Sequence, residues 1–207
     1  MNRPLKSEAG FAILEALITL FIVVFGLLAL VGLQNRMLLV EMESYQRSQA
    51  ITLAKDMKQR IEANPLGTPC YASTAVGTGV STPPTCNAGS LVVSRPGTTA
   101  EIAAVKTAVK AQVDADLARW HNALLGVAEK KGSVNVGAMI GARGCIADID
   151  AAGTSEVLVT VAWQGLTETV ATPVSCGSDQ YTLPGASSAS DTVRRTLALA
   201  VRAAKLD

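Results

Sequence analysis

The stretch "AGFAILEALITLFIVVFGLLALVGLQ", Ala9 to Gln34, decides the architecture of this chain. From Phe11 to Leu33 it holds 23 residues, and Glu15 is the only one that carries a charge. As a helix rising about 1.5 Å per residue it would cover roughly 34 Å, slightly more than a hydrocarbon core of about 30 Å. A core helix of a soluble protein would show a polar stripe over that length. None is visible, so residues 11–33 are expected to span a membrane, with one carboxylate near the end of the span.

Upstream, Arg3 and Lys6 stand against Glu8. The positive-inside tendency places such an N-terminus in the cytoplasm and the rest of the chain outside. In bacteria that outer compartment is oxidising, and four cysteines, Cys70, Cys86, Cys145 and Cys176, suit two disulfides there. Three connectivities are open. The nearest-neighbour pairing, Cys70 with Cys86 and Cys145 with Cys176, closes the shortest loops and is favoured. No CxxC spacing occurs, so neither a zinc site nor a redox motif is expected, and no cofactor. The formal charge of +1 points to no class of partner. Although 49% of residues are hydrophobic, the apolar content is concentrated near the N-terminus.

Downstream, the apolar run passes into an amphipathic one without a helix breaker. Leu38, Met42, Tyr45, Gln49, Leu53, Met57 and Ile61 recur every three or four residues and read as the buried face, opposite Arg36, Glu41, Glu43, Arg47, Lys55, Asp56, Lys58 and Arg60. The first break is Asn64-Pro65, because the residue before a proline is pushed out of the helical region. One helix of about fifty residues, roughly 80 Å, is expected.

Residues 65–100 are rich in Gly, Pro, Ser and Thr and read as a stapled loop. A second helix follows, with Ile102, Val105, Val109, Val113, Leu117, Trp120 and Leu124 on one face, ending at Gly126 or Gly132. The last third reads as strands. These are "GCIADIDAAG", then "TSEVLVTVAWQG" after an Ala152-Gly153 turn, and a shorter "TETVATPVSC" whose Pro173 suggests an edge or an end. The segment "DTVRRTLALAVRAAKLD" reads as a strand or a short helix, the strand being favoured because the sheet needs a partner. The fold class is α+β: a long N-terminal helix packed on an antiparallel sheet of about four strands.

The order of features around Gly10 excludes an ordinary secretory signal, which is cut after its apolar core. Here the small residue precedes the core, so a cut would leave the apolar helix on the mature chain. Gly10, Phe11, Ala12, Ile13, Leu14 and Glu15, behind a basic leader, resemble the type IV prepilin signature. The resemblance implies that a membrane-embedded prepilin peptidase cuts between Gly10 and Phe11 on the cytoplasmic side and methylates the new α-amino group. Loss of Arg3, Lys6 and Glu8 from 18 basic and 17 acidic side chains would leave 16 of each.

The same resemblance gives the parts their names: a leader over 1–10, a transmembrane and filament-core helix over 11–33, its amphipathic half over 34–64, and a periplasmic pilin domain over 65–207. In a pilus, Glu15 would meet the α-amino group of a neighbouring subunit's Phe11 and set the axial register. An isolated buried carboxylate costs about 2.5–3.5 kcal/mol at the bilayer centre, so the pairing favours correct stacking more than it adds stability. Gly26 and Gly32 would be places where the helix unwinds, at about 1 kcal/mol each relative to alanine, or where helices pack closely.

The run with its "GLL" and "GLQ", the later "DLARWHNALL" with Asp116 and Trp120, and "VLVTVAWQG" with Trp163 and Gln164 are similar to the PilV group of minor pilins. That likeness implies partners: other minor pilins and the major pilin, the prepilin peptidase, the inner-membrane assembly platform and the inner membrane itself. The implied work is priming of pilus assembly, in support of twitching motility and adhesion. A minor pseudopilin of type II secretion, or a DNA-uptake pilin, is the alternative.

An enzyme would have to use His121, the only histidine. A structural or surface role is expected for it, and a solvated one for Asp114 and Asp116, which at a spacing of two point to different sides of a helix. No phosphate loop or HExxH motif is present. Arg194, Arg195, Arg202 and Lys205, partly balanced by Asp191 and Asp207, make a weak footprint for nucleic acid and read as a solvated strand edge. Trp120 and Trp163 are expected in the core.

Overall fold

The computed structural model describes residues 9–72, 74–94, 96–149, 156–182, 185 and 189–204. Helix α1 (Ala9–Ala63) runs without a break to the residue before Asn64-Pro65, as the proline rule requires. Two compact units divide the chain, one ending at Ser44 and the other beginning at Tyr45. The globular unit therefore takes in the last turns of α1 as well as the residues from 65 onward.

In the first unit, the large apolar side chains from Ile13 to Val40 are exposed within the chain. The second unit contains a short α2 (Thr68–Tyr71) and an edge strand β1 (Thr74–Gly77), followed by α3 (Thr99–Leu124). A small hairpin, β2 (Lys130–Lys131) with β3 (Val134–Asn135), precedes the long strands β4 (Arg143–Asp148), β5 (Glu156–Gln164) and β6 (Arg194–Arg202). The main sheet has the order β1-β4-β5-β6, antiparallel throughout. The α+β class and the long helix packed on an antiparallel sheet are thus as expected. The Ala152-Gly153 turn lies outside the described residues.

Helix α3 begins in a capping box. The Thr98 hydroxyl accepts from the Glu101 N–H at 3.3 Å, while the Thr98 N–H donates to Glu101 Oε2 at 2.7 Å. The Thr98 N–H, and the Thr98 hydroxyl donating to the same Oε2 at 2.9 Å, hold the Glu101 carboxyl below its ordinary range. The helix is stopped just beyond Leu124 by Gly126, whose φ of 63° is a left-handed conformation costly for any residue with a Cβ. The Gly126 N–H donates to Ala123 O and the Val127 N–H to Asn122 O, a Schellman closure.

Trp120 lies at the centre of the second unit. Its indole Nε1 donates to the main-chain carbonyl of Leu53 in α1 at 3.0 Å, and its ring lies so close to β4 that a Cβ on Gly144 would sit 2.5 Å from Cη2. The buried face of α1 differs accordingly from the expected one. Gln46, Ala50, Ala54, Met57 and Ile61 are buried and Leu53 partly so, whereas Leu38, Met42 and Tyr45 are more than half exposed. Small alanines at 50 and 54 let the indole reach the helix backbone; a face of large residues would hold it away.

The fourth strand also differs. The expected "TETVATPVSC" is irregular, and its place in the sheet count is taken by β1, from within the supposed loop. That irregular segment is held by Arg194, whose side chain is only 2% exposed. Its guanidinium donates to the carbonyls of Thr172 (3.1 Å), Val174 and Cys176 (3.0 Å), acceptors that a ladder would otherwise use, and Pro173 has no N–H to offer. The C-terminal segment is a strand, β6, as favoured.

Both disulfides follow the nearest-neighbour pairing, Cys70–Cys86 and Cys145–Cys176. The second ties β4 to the irregular segment after β5. The first closes a loop that carries β1, a strand with only four residues of pairing to β4.

Replacing Cys70 and Cys86 together by serine is expected to cost about 3 kcal/mol of the globular unit's stability, the chain-entropy value for a loop of this size. It should also release β1. Denaturant unfolding checks the first effect. Faster amide exchange in β4, with β5 amides unchanged, checks the second.

Candidate functional site

Gly10, Phe11 and Glu15 all fall in the first turns of α1. Glu15 is exposed among exposed Ile13, Leu14, Leu17 and Ile18, so one carboxylate stands in an apolar surface that the chain itself leaves uncovered. The most apolar window of the helix has a mean hydropathy of 2.9 and none of it is buried, so it is long and apolar enough to cross a membrane. Residues 1–8 of the expected leader lie outside the described residues. Gly26 and Gly32 are helical, and a Cβ added to either would meet nothing within 4 Å. Among the described residues, neither glycine has a close packing neighbour.

The candidates for chemistry on α3 are held in structural roles, and two of them are not solvated as expected. Asp116 is 1% exposed. Its carboxylate accepts from Arg60 Nη1 at 2.9 Å, from the Tyr71 hydroxyl at 2.7 Å and from Gln112 Nε2 at 3.1 Å. Arg60 also grips Asp56 with two parallel bonds, Nε at 2.9 Å and Nη2 at 3.0 Å. These partners raise the Arg60 pKa, Asp56 foremost, and burial beside Asp116 pushes the Tyr71 hydroxyl up. Asp114 turns to the other side, where it accepts from the Cys86 N–H at 2.6 Å and pairs with Lys110. The spacing of two does separate the carboxylates, but each has a fixed partner.

His121 is 4% exposed, and its Nδ1 accepts the N–H of Gly77 at 3.1 Å, fastening the end of β1 to α3. That bond requires an unprotonated Nδ1, and burial lowers the imidazole pKa. Trp120 and Trp163 are in the core, as expected.

The basic C-terminus is a sheet edge, as expected, and Arg202 on it is solvated, but Arg194 is not. Arg194 is buried and forms two bonds to Asp191, Nε at 3.1 Å and Nη2 at 2.7 Å, which hold the Asp191 carboxyl below its ordinary range. Arg195 donates to Thr167 O at 2.8 Å and Thr169 Oγ1 at 2.6 Å, and Arg202 pairs with Glu156. Lys205 and Asp207 lie outside the described residues. Sequence periodicity missed Arg60, Tyr71 and Arg194 as organising residues. Their one visible signal was chemical: a tyrosine directly after a cysteine, and an arginine pair opening an apolar strand.

Residues 32–113 match the family model described as type IV pilin Tt1218. The matched part runs from Gly32 through the rest of α1 and the stapled loop into α3, and leaves Gly10 to Glu15 and the three long strands outside it. This match supports a type IV pilin. Pilins are structural proteins that assemble with other pilins, which agrees with the long apolar helix and the disulfides. No curated protein and no solved structure matches the chain.

Asp116→Ala removes the acceptor shared by Arg60 and Tyr71 and is expected to destabilise the globular unit by about 3 kcal/mol, at the lower end for a broken buried pair because Arg60 keeps Asp56. Chemical denaturation checks it. For His121 the folded pKa lies below the unfolded one, so its contribution is complete above the ordinary imidazole range near pH 6.5 and is lost as pH falls through it. The melting temperature should therefore drop between about pH 7 and pH 5. His121→Asn, whose side-chain oxygen can accept from Gly77 without titrating, should flatten that drop.

Proposed function

We propose that this chain is a minor type IV pilin, a non-enzymatic subunit that helps prime pilus assembly at the bacterial inner membrane and supports twitching motility and adhesion. The observation that carries the reading is the helix α1: an apolar segment bare within its own chain, interrupted near its start by the single charge of Glu15, and continuing into a helix that matches a pilin family.

In this reading the prepilin peptidase cuts after Gly10 on the cytoplasmic side and methylates Phe11. The freed helix first rests in the inner membrane with the unit from Tyr45 onward in the periplasm. The assembly platform then moves it into the helical bundle of a filament, among other minor pilins and the major pilin. The bare apolar surface is buried in lipid in the first state and against neighbouring helices in the second, so transfer exposes little of it to water. Glu15 costs free energy in both environments unless it is paired. A neighbouring subunit's α-amino group at Phe11 supplies the partner, and a helix docked one turn out of register leaves the carboxylate unpaired. Gly26 and Gly32, free of packing duties within the chain, are the residues at which α1 would unwind or pack closely on assembly. Nucleic acid is not among the proposed partners, because Arg194, Arg195 and Arg202 have protein partners.

The deciding experiment is mass spectrometry of the N-terminus of the protein from its own cells, with a count of surface pili in a deletion strain. N-methylated Phe11 with few or no pili is the expected result. Processed Phe11 with normal pili and failed protein secretion would make the chain a type II secretion pseudopilin; an intact Met1 would overturn both. Glu15→Ala is expected to leave cleavage intact while reducing pilus number, and normal piliation in that variant would remove Glu15 from the register mechanism.

A further inference from the structure

An arginine in the second unit usually meets an acid. Arg60 holds Asp56 and Asp116, Arg119 reaches Asp116, Arg194 holds Asp191 and Arg202 pairs with Glu156. Arg195 is met by the oxygens of Thr167 and Thr169. Arg143, the first residue of β4, departs from this pattern. It is partly buried, its Nε is enclosed without a hydrogen-bond partner, and no carboxylate among the described residues pairs with it.

The surroundings are shaped to the cation but do not neutralise it. A Cβ on Gly79 would stand 2.7 Å from Arg143 Nη1 and 2.9 Å from Nη2, so a side chain at that position would displace the guanidinium. Gly79 has a φ of 84° and lies in a turn closed by the Val80 N–H on Gly77 O at 3.1 Å. The Gly79 N–H itself has no acceptor among the described residues. The Tyr181 hydroxyl, which donates to Gly141 O at 3.1 Å, is close enough to feel the Arg143 charge. Arg194, whose charge also reaches Tyr181, is already held by Asp191.

We propose that Arg143 is a binding site for a carboxylate group, taken bidentately by its guanidinium at the Gly77–Val80 turn. The chemistry selects that class. A guanidinium presents parallel N–H donors whose spacing matches the two oxygens of a planar carboxylate. One positive charge balances one carboxylate, whereas a phosphate dianion would keep an excess charge over a single arginine. Enclosure of Nε keeps water from one side of the cation, so an anion on the open side is screened less than it would be on a fully hydrated arginine. A free small acid and an Asp or Glu side chain of another protein bring the same group. The site is independent of processing at Phe11 and of the fate of α1.

The test titrates the full chain in detergent micelles with acetate at about pH 7, where acetate is ionised, with chloride holding the ionic strength constant. It reads the proton–nitrogen resonance of Arg143 Nε, assigned by its loss in Arg143→Gln, and that of the Gly79 amide. Both are expected to shift saturably, and the Gly79 shift should vanish in Arg143→Gln. Arg143→Lys keeps the charge without the fork and should weaken acetate binding at least about fivefold. If Arg143→Gln disturbs the sheet, judged by circular dichroism and the β5 amide shifts, Gly79→Ala should weaken binding in its place, since it moves the guanidinium and leaves the arginine. Tighter binding of a blocked Ala-Glu-Ala peptide than of acetate would assign the group to a protein side chain, and weaker binding to a small free acid. The proposal is overturned if acetate shifts neither resonance, if Arg143→Gln responds as the parent does, or if phosphate binds more tightly than acetate at the same ionic strength.

Discussion

The globular unit depends on the approach of one side chain, Trp120, to two backbones at once. Its indole nitrogen bonds to the Leu53 carbonyl on α1, and its ring occupies the space that a Cβ on Gly144 of β4 would need. An indole that touches main chain on both sides fixes the separation of helix, helix and sheet more tightly than side-chain packing alone, since main chain cannot rotate out of the way. One turn earlier on α3, Asp116 makes the polar counterpart of this contact by joining Arg60 of α1 to Tyr71 of α2. Fully satisfied, such a buried network favours one arrangement over its alternatives, because any shift leaves a charge or hydroxyl without a partner.

The same economy governs the periphery. The sheet is short of strands, and both disulfides fall where it is weakest. Cys70–Cys86 closes the loop that carries the four-residue strand β1, and Cys145–Cys176 holds the irregular segment after β5 against β4. Arg194 completes that second attachment with main-chain bonds in place of a strand ladder. Asp114 and His121 act likewise on the first, binding the Cys86 and Gly77 amides. Residues that look catalytic in a list are here fasteners between α3 and the chain around it.

What the globular unit achieves internally, the first half of α1 leaves to its surroundings. Apolar side chains from Ile13 to Val40 have no cover within the chain, and the cost of keeping them in water, about 25 cal/mol per Å² of apolar surface, requires that lipid or other helices supply it. In the proposed assembly the apolar area would supply affinity, and the single carboxylate of Glu15 would discriminate between arrangements of neighbours.

The long helix and its end at Ala63, the second helix with Gly126 as one of two candidate stops, the strands β4 and β5, and the exceptional position of Glu15 were all legible in the sequence. Each rests on periodicity, on a proline or glycine, or on charge within a short window, and these act through the local backbone or through transfer from water. The disulfide pairing was legible too, because loop closure favours neighbours. Tertiary structure alone decided the rest. The stripe of α1 moved to Gln46, Ala50 and Ala54, on the helix whose Leu53 carbonyl accepts from the distant Trp120 indole. Asp116 and Arg194 became buried because partners far along the chain satisfied their charges. The segment that alternation had suggested stayed irregular, its carbonyls engaged by Arg194, and the fourth strand came instead from within a loop at the sheet's other edge. Local sequence determines which conformations are cheap, while the choice of which polar group is buried depends on whether a partner arrives in space, and sequence spacing carries no record of that.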